Sequence, residues 1–342
     1  MEMSPLRLGV VGLNFGCTVC RDLLANPNLS VRLTKVCDLD AARARAGSEE
    51  FAVPCAPSLE VLLDDPEVDA IGLYTGPCGR ADLVRRIVRA GKDVMTTKPF
   101  ELDADAALAV LREAGELGRV VHLNSPGPRP LGEAAIVKEW VDSGAIGRPT
   151  VAQANTWCYY GRTPADGTWY DDPLRCPVAP VFRIGIYALN MLLAVFHDPL
   201  TVQVTRSRVE TQRPTPDNAS LTVGFGDGGI VNILSSFVVG SEPDRYRGGV
   251  TIGGAQGRIY IGTGPRRRDA GPQADLVLST DDRLEFRTVN QHSGDYDWEF
   301  FAQRVRGEVD KDVTAPEEIA LGIRVVNAMS QSEQTGATVR VV

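Results

Sequence analysis

Three patterns near the start of the chain have the residue types and spacing for chemistry. The first is Gly9-Val-Val-Gly12-Leu-Asn-Phe-Gly16, where a short apolar run gives way to a helical pattern. A helix beginning there presents free amides and the positive end of its dipole, which suits a pyrophosphate. Set against G-x-G-x-x-G, the matching positions are Gly12, Asn14 and Cys17, and only the first is glycine. Asn14 is the non-glycine residue that most readily takes a left-handed backbone, and Cys17 is small enough for close helix packing. Phe15 and Gly16 complete the loop; a plain tight turn fits the same letters. The second pattern is Asp38, which closes the next apolar run, Ser30 to Cys37. An acid there binds the ribose hydroxyls of an adenosine and repels a 2′-phosphate, so NAD(H) is expected over NADP(H). A strand-end turn is its plainer role. The third is Lys98, held extended by Pro99 behind Asp93 to Thr96. An ammonium at the carboxyl edge of a parallel sheet can orient a substrate hydroxyl or lower the pKa of a neighbouring acid. Taken alone, Lys98 is equally a surface lysine.

These residues need a scaffold, and the rhythm of the chain supplies one. Strand patterns at Leu6 to Val11, Ser30 to Cys37, Ala70 to Tyr74, Asp93 to Thr96 and Val120 to Leu123 alternate with helical ones. The helical stretches run Cys17 to Ala25, Ala41 to Glu50, Ser58 to Leu63, Arg80 to Ala90 and Asp103 to Leu117. Such alternation implies βαβ units and a parallel sheet. Asn124-Ser-Pro-Gly-Pro-Arg-Pro130 breaks the rhythm and marks a boundary. Beyond it, after a helix from Gly132 to Asp142, the texture changes to eight strand patterns between Thr150 and Val289, separated by turns. Helices are confined there to Ile186–Phe196, Asp297–Arg306 and Pro316–Gln331. We therefore expect an α/β N-terminal domain over residues 1–123. An α+β domain over 124–342, with a large, mostly antiparallel open sheet, should follow it.

The chain has 342 residues, with 36 Lys+Arg against 44 Asp+Glu and a net charge of −8. An acidic chain is a poor general binder of nucleic acid or of an anionic membrane, so neither partner is expected. No apolar run reaches the roughly 18 residues of a membrane span, and the first residues lack the basic start of a signal peptide. Seven scattered cysteines suit free thiols in a reducing cytoplasm. Cys17-Thr-Val-Cys20 has redox spacing, but no second pair completes a metal site. His122, His197 and His292 stand far apart, and no metal is expected. Pro265-Arg-Arg-Arg268 reads as a solvated turn. Only five of the cations are lysine (Lys35, Lys92, Lys98, Lys138 and Lys311), and two of them fall in one short block.

That block, Ala90-Gly91-Lys92-Asp93-Val94 followed by Thr97-Lys98-Pro99, resembles the A-G-K-h-V-x-x-E-K-P block of the glucose-fructose oxidoreductase / inositol dehydrogenase / MocA family. The resemblance runs nearly end to end. It takes in Gly9 to Gly16, Asp38, Arg129, the turn Ser143-Gly144-Ala-Ile-Gly147 and the helix ending near Gly336. A second block, Arg183-Ile-Gly185-Ile-Tyr187-Ala-Leu-Asn190, is similar to the family's D-x-G-I-Y-x-L-N. The resemblance implies a Rossmann domain that binds NAD(P), with Gly12, Asn14, Phe15, Asp38, Thr75 and Lys98 on the cofactor. It also implies Lys98 and Tyr187 as a catalytic pair, with Asn190 on the substrate. Three positions depart from the pattern: Thr97 replaces a glutamate, Arg80 a histidine and Arg183 an aspartate. Arg183 either binds an anionic substrate group or makes a structural salt bridge. Trp157, with Tyr159, Tyr160, Trp169 and Tyr170, either stacks on a sugar face or fills a core or interface.

The implied reaction is hydride transfer between nicotinamide and a secondary alcohol or ketone of a sugar, cyclitol or sugar-derived metabolite. Tyr187 would move the hydroxyl proton. Lys98 would hold the substrate oxygen and stabilise a tyrosinate whose ordinary pKa is about 10. An open sheet with helices on one face leaves the other to bury, and the family uses it for subunit contacts, so a homodimer or homotetramer is expected. The departures keep two alternatives open. One is a non-catalytic dinucleotide-binding sensor or scaffold; the other is an epimerase or lyase acting by transient oxidation.

Overall fold

The computed structural model describes residues 4–160, 165, 167–239, 247–262, 275–309 and 314–342. The arginine run at 265–268 lies outside them. The chain divides into two compact units, residues 1–128 with 296–320 and residues 129–295 with 321–342.

Among the described residues the strands form two sheets. In the first unit β1 (Leu6–Val11), β2 (Val31–Cys37), β3 (Ala70–Leu73), β4 (Asp93–Thr96) and β5 (Val121–Leu123) are parallel, in the order β2-β1-β3-β4-β5. Helices α1 (Gly16–Ala25), α2 (Ala41–Phe51), α3 (Leu59–Leu63), α4 (Arg80–Arg89) and α5 (Ala104–Glu116) connect them. Every residue of β3 and β4 is buried, which is why these strands read as short unbroken runs rather than alternating ones. The strand order reverses between β1 and β3, and in open parallel sheets ligands bind at the carboxyl ends of that pair.

The second unit holds α6 (Glu133–Asp142), α7 (Ile186–Phe196) and a nine-stranded sheet. Its strands are β6 (Pro149–Trp157), β7 (Pro199–Ser207), β8 (Asn218–Phe225), β9 (Ile230–Ser236), β10 (Arg247–Gly254), β11 (Gly257–Ile261), β12 (Leu276–Thr280) and β13 (Leu284–Arg287). The ninth, β14, is described below. The pairings are antiparallel except β6 with β9. In β8 each buried residue alternates with a half-buried one, so a single face is covered. A π-helical turn, Val181–Gly185, leads straight into α7 and packs on that face. Gly185 permits the approach: a β-carbon on it would stand 2.5 Å from Ser235 Oγ and 3.2 Å from Ile233 Cγ2 of β9.

The chain then returns to the first unit in α8 (Trp298–Arg306). Trp298, Phe301 and Ala302 join Leu8, Val10, Val31 and Leu33 in one core, where burying Phe301 contributes about 2 kcal/mol. It closes with α9 (Pro316–Thr335) and β14 (Val339–Arg340), the edge strand beside β7. No helix among the described residues is long and apolar enough to cross a membrane. The boundaries of β1, β4 and α7 are those read from the sequence. The π-helical turn is not; its i→i+5 bonding has no period of its own in so short a run.

Candidate active site

The glycine loop lies at the carboxyl ends of β1 and β3. Gly12 has φ +89°, and a β-carbon there would stand 2.8 Å from Tyr74 O and 3.1 Å from Thr75 N. Only glycine fits such a backbone so close to another. The left-handed conformation expected at Asn14 falls on Gly12 instead; Asn14 is not among the positive-φ residues. The close-packing position is likewise Gly16, buried against Val10 and Tyr74, while Cys17 is half-buried and donates its thiol to Leu13 O at 2.8 Å. Phe15 is 40% exposed and stands edge-on to Tyr74 at 6.2 Å.

Helix α1 has no side-chain cap at Phe15, whereas α2 and α5 are capped by Asp40 and Asp103, and α4 receives Glu101. Its first amides are left for something other than a capping side chain. An open helix start beside a glycine pressed to the neighbouring strand has the shape and polarity of a dinucleotide cradle. Asp38 lies beside it with its side chain only 7% exposed. Its carboxylate accepts from Leu13 N at 2.7 Å and Asp40 N at 2.9 Å, with Arg43 Nη1 at 3.5 Å. Asp38 thus ties the glycine loop to the end of β2. A carboxylate offers about four acceptor positions, which leaves capacity for a ribose hydroxyl.

The two lysines of the short block part company. Lys92 is 8% exposed and donates to Asp65 O at 2.9 Å and Val68 O at 2.6 Å. Burial pushes its pKa below the usual lysine value, and its role is to brace the turn before β3. Lys98 is half-buried at the carboxyl edge; its backbone N donates to Asn124 Oδ1 at 3.1 Å, and its bond to Pro99 is cis. Asn124, itself buried at the end of β5, escaped the sequence reading, although its place at the same sheet edge was a usable signal. Thr75 is half-buried, and its carbonyl accepts from Arg80 Nη2.

The π-helical turn and α7 carry the second unit's candidates. Arg183, Tyr187 and Asn190 are half-buried, while Ile184, Gly185, Ile186, Ala188 and Leu189 are buried, so the spacing i, i+4, i+7 marks one partly open face. The Arg183 guanidinium carbon lies 4.0 Å from the ring centre of Tyr170, 4.8 Å from Phe237 and 5.1 Å from Tyr160. These are cation–π contacts that fix its plane. The ring of Tyr187 is covered by Gly294, at φ +104°, where a β-carbon would stand 2.4 Å from Cε1. Glu133 holds that loop, accepting from His292 Nδ1 at 2.5 Å and from Ser293 N at 2.7 Å. Neither Gly294 nor Glu133 carried a motif in the sequence. Asn190 points its Oδ1 toward Gly322 of α9.

Trp157 is not brought to this face. Thr156 bonds Ser235 Oγ at 2.6 Å on the side where Gly185 packs, so the pleat turns Trp157 the other way. All seven cysteines are free thiols. Burial pushes Cys20 and Cys158 up to about 12, which leaves both protonated and inert near neutral pH.

Residues 6–125 match the model of an oxidoreductase family with an NAD-binding Rossmann fold, and residues 134–260 match a GFO/IDH/MocA C-terminal domain. An inositol 2-dehydrogenase of Rhodococcus erythropolis is 30% identical over 54% of this chain and 52% of its own length, so the match spans about half of that relative. A dTDP-3,4-didehydro-2,6-dideoxy-alpha-D-glucose 3-reductase of Streptomyces violaceoruber is 26% identical over 85% of this chain and 82% of its own. A solved levoglucosan dehydrogenase in complex with NADH and L-sorbose shares the fold, with a TM-score of 0.77 at 15% identity over 99% and 100% of the two chains. Matched in both halves by models of one family, the chain belongs to the GFO/IDH/MocA oxidoreductases.

Proposed function

We propose that the protein is a nicotinamide-dependent oxidoreductase acting on a secondary alcohol or ketone of a sugar, cyclitol or sugar-derived metabolite. The observation that carries this reading is the cradle at Gly12, with Lys98 on the same carboxyl edge of the same parallel sheet. When bound, the dinucleotide supplies or takes the hydride. Gly12 and the first amides of α1 would hold its pyrophosphate, Phe15 and Thr75 would flank it, and Asp38 would bind the adenosine ribose. That acid favours NAD(H) over NADP(H). Arg43, 3.5 Å from Asp38, speaks for a 2′-phosphate, and dissociation constants for NADH and NADPH decide between them.

Lys98 holds the substrate oxygen and Tyr187 exchanges its proton; the pairing rests on the likeness of both sequence blocks to the family's. Asn190 and Arg183 bind the remainder of the substrate. Arg183, its plane set by Tyr170, is the anchor for a negatively charged group, which makes an acidic sugar the expected substrate class. The experiment is a panel of neutral and acidic sugars, cyclitols and keto-sugars with NAD+ or NADH, followed by nicotinamide absorbance. No change with any of them, and no new product by NMR, overturns the enzyme reading in favour of a binding protein.

Val151 of β6 and Ile230 of β9 are register partners and each 53% exposed; with Leu234 and Trp157 they lie on the sheet face away from α7. We read that face as the contact of a homodimer or homotetramer. A monomer by light scattering at micromolar concentration contradicts it.

A further inference from the structure

Arg80 opens α4 and is only 1% exposed, a guanidinium inside the first unit. Its Nη1 donates to Thr97 O at 2.6 Å, to Phe100 O at 3.2 Å and to Pro99 O. Its Nη2 donates to Thr75 O. One planar group therefore joins the loop leaving β3 to the loop leaving β4 and takes a carbonyl on each side of Lys98. Glu101, 4% exposed, stands at the same helix start and accepts from Gly79 N at 3.2 Å and Ala81 N at 2.8 Å. A buried guanidinium persists only where acceptors surround it, and its fork is rigid. The carbonyls must stand where its N–H groups point. On the other side, Asn124 of the β5 end takes the backbone N–H of Lys98.

We propose that Arg80 is a positioning residue for Lys98, its fork clamping the carbonyls of Thr97 and Phe100 and so setting where the lysine stands on the sheet edge. This rests on the reading of Lys98 as the group that meets the substrate oxygen. A lysine at this position offers three donors from a single point and a histidine two at most, so neither reproduces the rigid fork.

The scarcity of lysine makes the test direct. The five lysines of the full chain are reductively dimethylated with carbon-13 formaldehyde, and the Lys98 signal is assigned by its loss in Lys98→Arg. In Arg80→Gln and Arg80→Ala, the chemical shift of the Lys98 signal moves toward that of the exposed Lys138, while Lys35 stays in place and circular dichroism reports an intact fold. Added guanidinium restores the wild-type signal in Arg80→Ala. With a turned-over substrate, kcat of Arg80→Gln falls about 10²-fold, the scale of a misplacement of about 1 Å. An unchanged Lys98 signal in a folded Arg80 variant overturns the proposal, as does failure of both variants to fold, which makes Arg80 a stability residue only. The NMR readout needs no turnover. If Lys98→Ala keeps full activity, the catalytic reading of Lys98 falls while the clamp is still judged on the signal.

Discussion

The two units hold their candidate groups by opposite means. In the first, buried polar side chains direct their hydrogen bonds to the main chain: Asp38 to Leu13, Lys92 to Asp65 and Val68, Arg80 to four carbonyls, Glu101 to two amides. What they present is backbone shape, at Gly12 and at the start of α1. In the second, Arg183, Tyr187 and Asn190 are half-buried among the buried residues Ile184, Gly185, Ile186, Ala188 and Leu189, steadied by rings and by glycine contacts. A main-chain edge tolerates most side-chain changes and shifts only when a buried group that ties it, such as Arg80, is replaced. A side-chain face changes one residue at a time, as at Arg183, where the resemblance leads one to expect an aspartate.

The comparison breaks most visibly at the two residues assigned to the reaction. Lys98→Ala and Tyr187→Phe should each lower turnover by about 10²–10⁴-fold, the usual worth of a positioned proton-transfer group. NADH affinity by fluorescence should stay nearly constant, because the cradle is backbone. A loss of NADH binding in Lys98→Ala would place the lysine with the cofactor edge alone.

Next in size is a pair that supports the aromatic wall. Asp171 accepts from Arg213 Nη1 at 2.7 Å, with both side chains under 10% exposed at 7% and 8%. Asp171 follows Tyr170, the ring nearest Arg183. Asp171→Ala removes the carboxylate from a buried ion pair and should cost about 3–5 kcal/mol in urea unfolding. A loss under about 1 kcal/mol would show that the second unit's face does not lean on this buried pair.

The lysines sharpen the contrast within the first unit. Lys92→Met should destabilise by about 1–3 kcal/mol, since the carbonyls of Asp65 and Val68 lose their donor, with kcat unchanged. A fall in kcat without loss of stability would reverse the roles of Lys92 and Lys98.

How far the sequence foretold this differs between the units for the same reason. Strands buried on both faces and helices of ordinary length made the parallel sheet readable, and the glycine loop, Asp38 and Lys98 fall at its carboxyl edge. Within the loop, the assignment of the left-handed position to Asn14 was wrong: Gly12 already makes the tight approach to Tyr74, so no second one is needed. Arg80 looked like a blemish on the family pattern, and only its carbonyl partners disclose a clamp. In the second unit the strands were legible from alternation. The turn 181–185, the cover of Tyr187 by Gly294 and the outward pleat of Trp157 depend on pairings between residues distant in sequence, which no local pattern encodes.

The smallest effect tests how firmly the side-chain face is held. The loop that covers Tyr187 is tied down at His292, whose Nδ1 faces Glu133 Oε1, with Asp295 and Asp275 nearby. The hydrogen bond to Glu133 raises the His292 pKa above its ordinary value. A group with a raised folded-state pKa contributes stability that is complete below its unfolded pKa, about 6.5, and lost as pH rises through the folded value. The side chain of His292 is 62% exposed, so solvent screens the pair and its worth stays under about 1 kcal/mol. Wild type should therefore exceed His292→Gln in unfolding stability at about pH 5.5, with the gap closing by about pH 8.5 and in 1 M salt. Turnover should hardly follow it, because Glu133 still accepts from Ser293 N and keeps Gly294 on the tyrosine ring. A gap that persists at alkaline pH would mean that His292 acts by packing, and that Gly294 is held on Tyr187 without the charge.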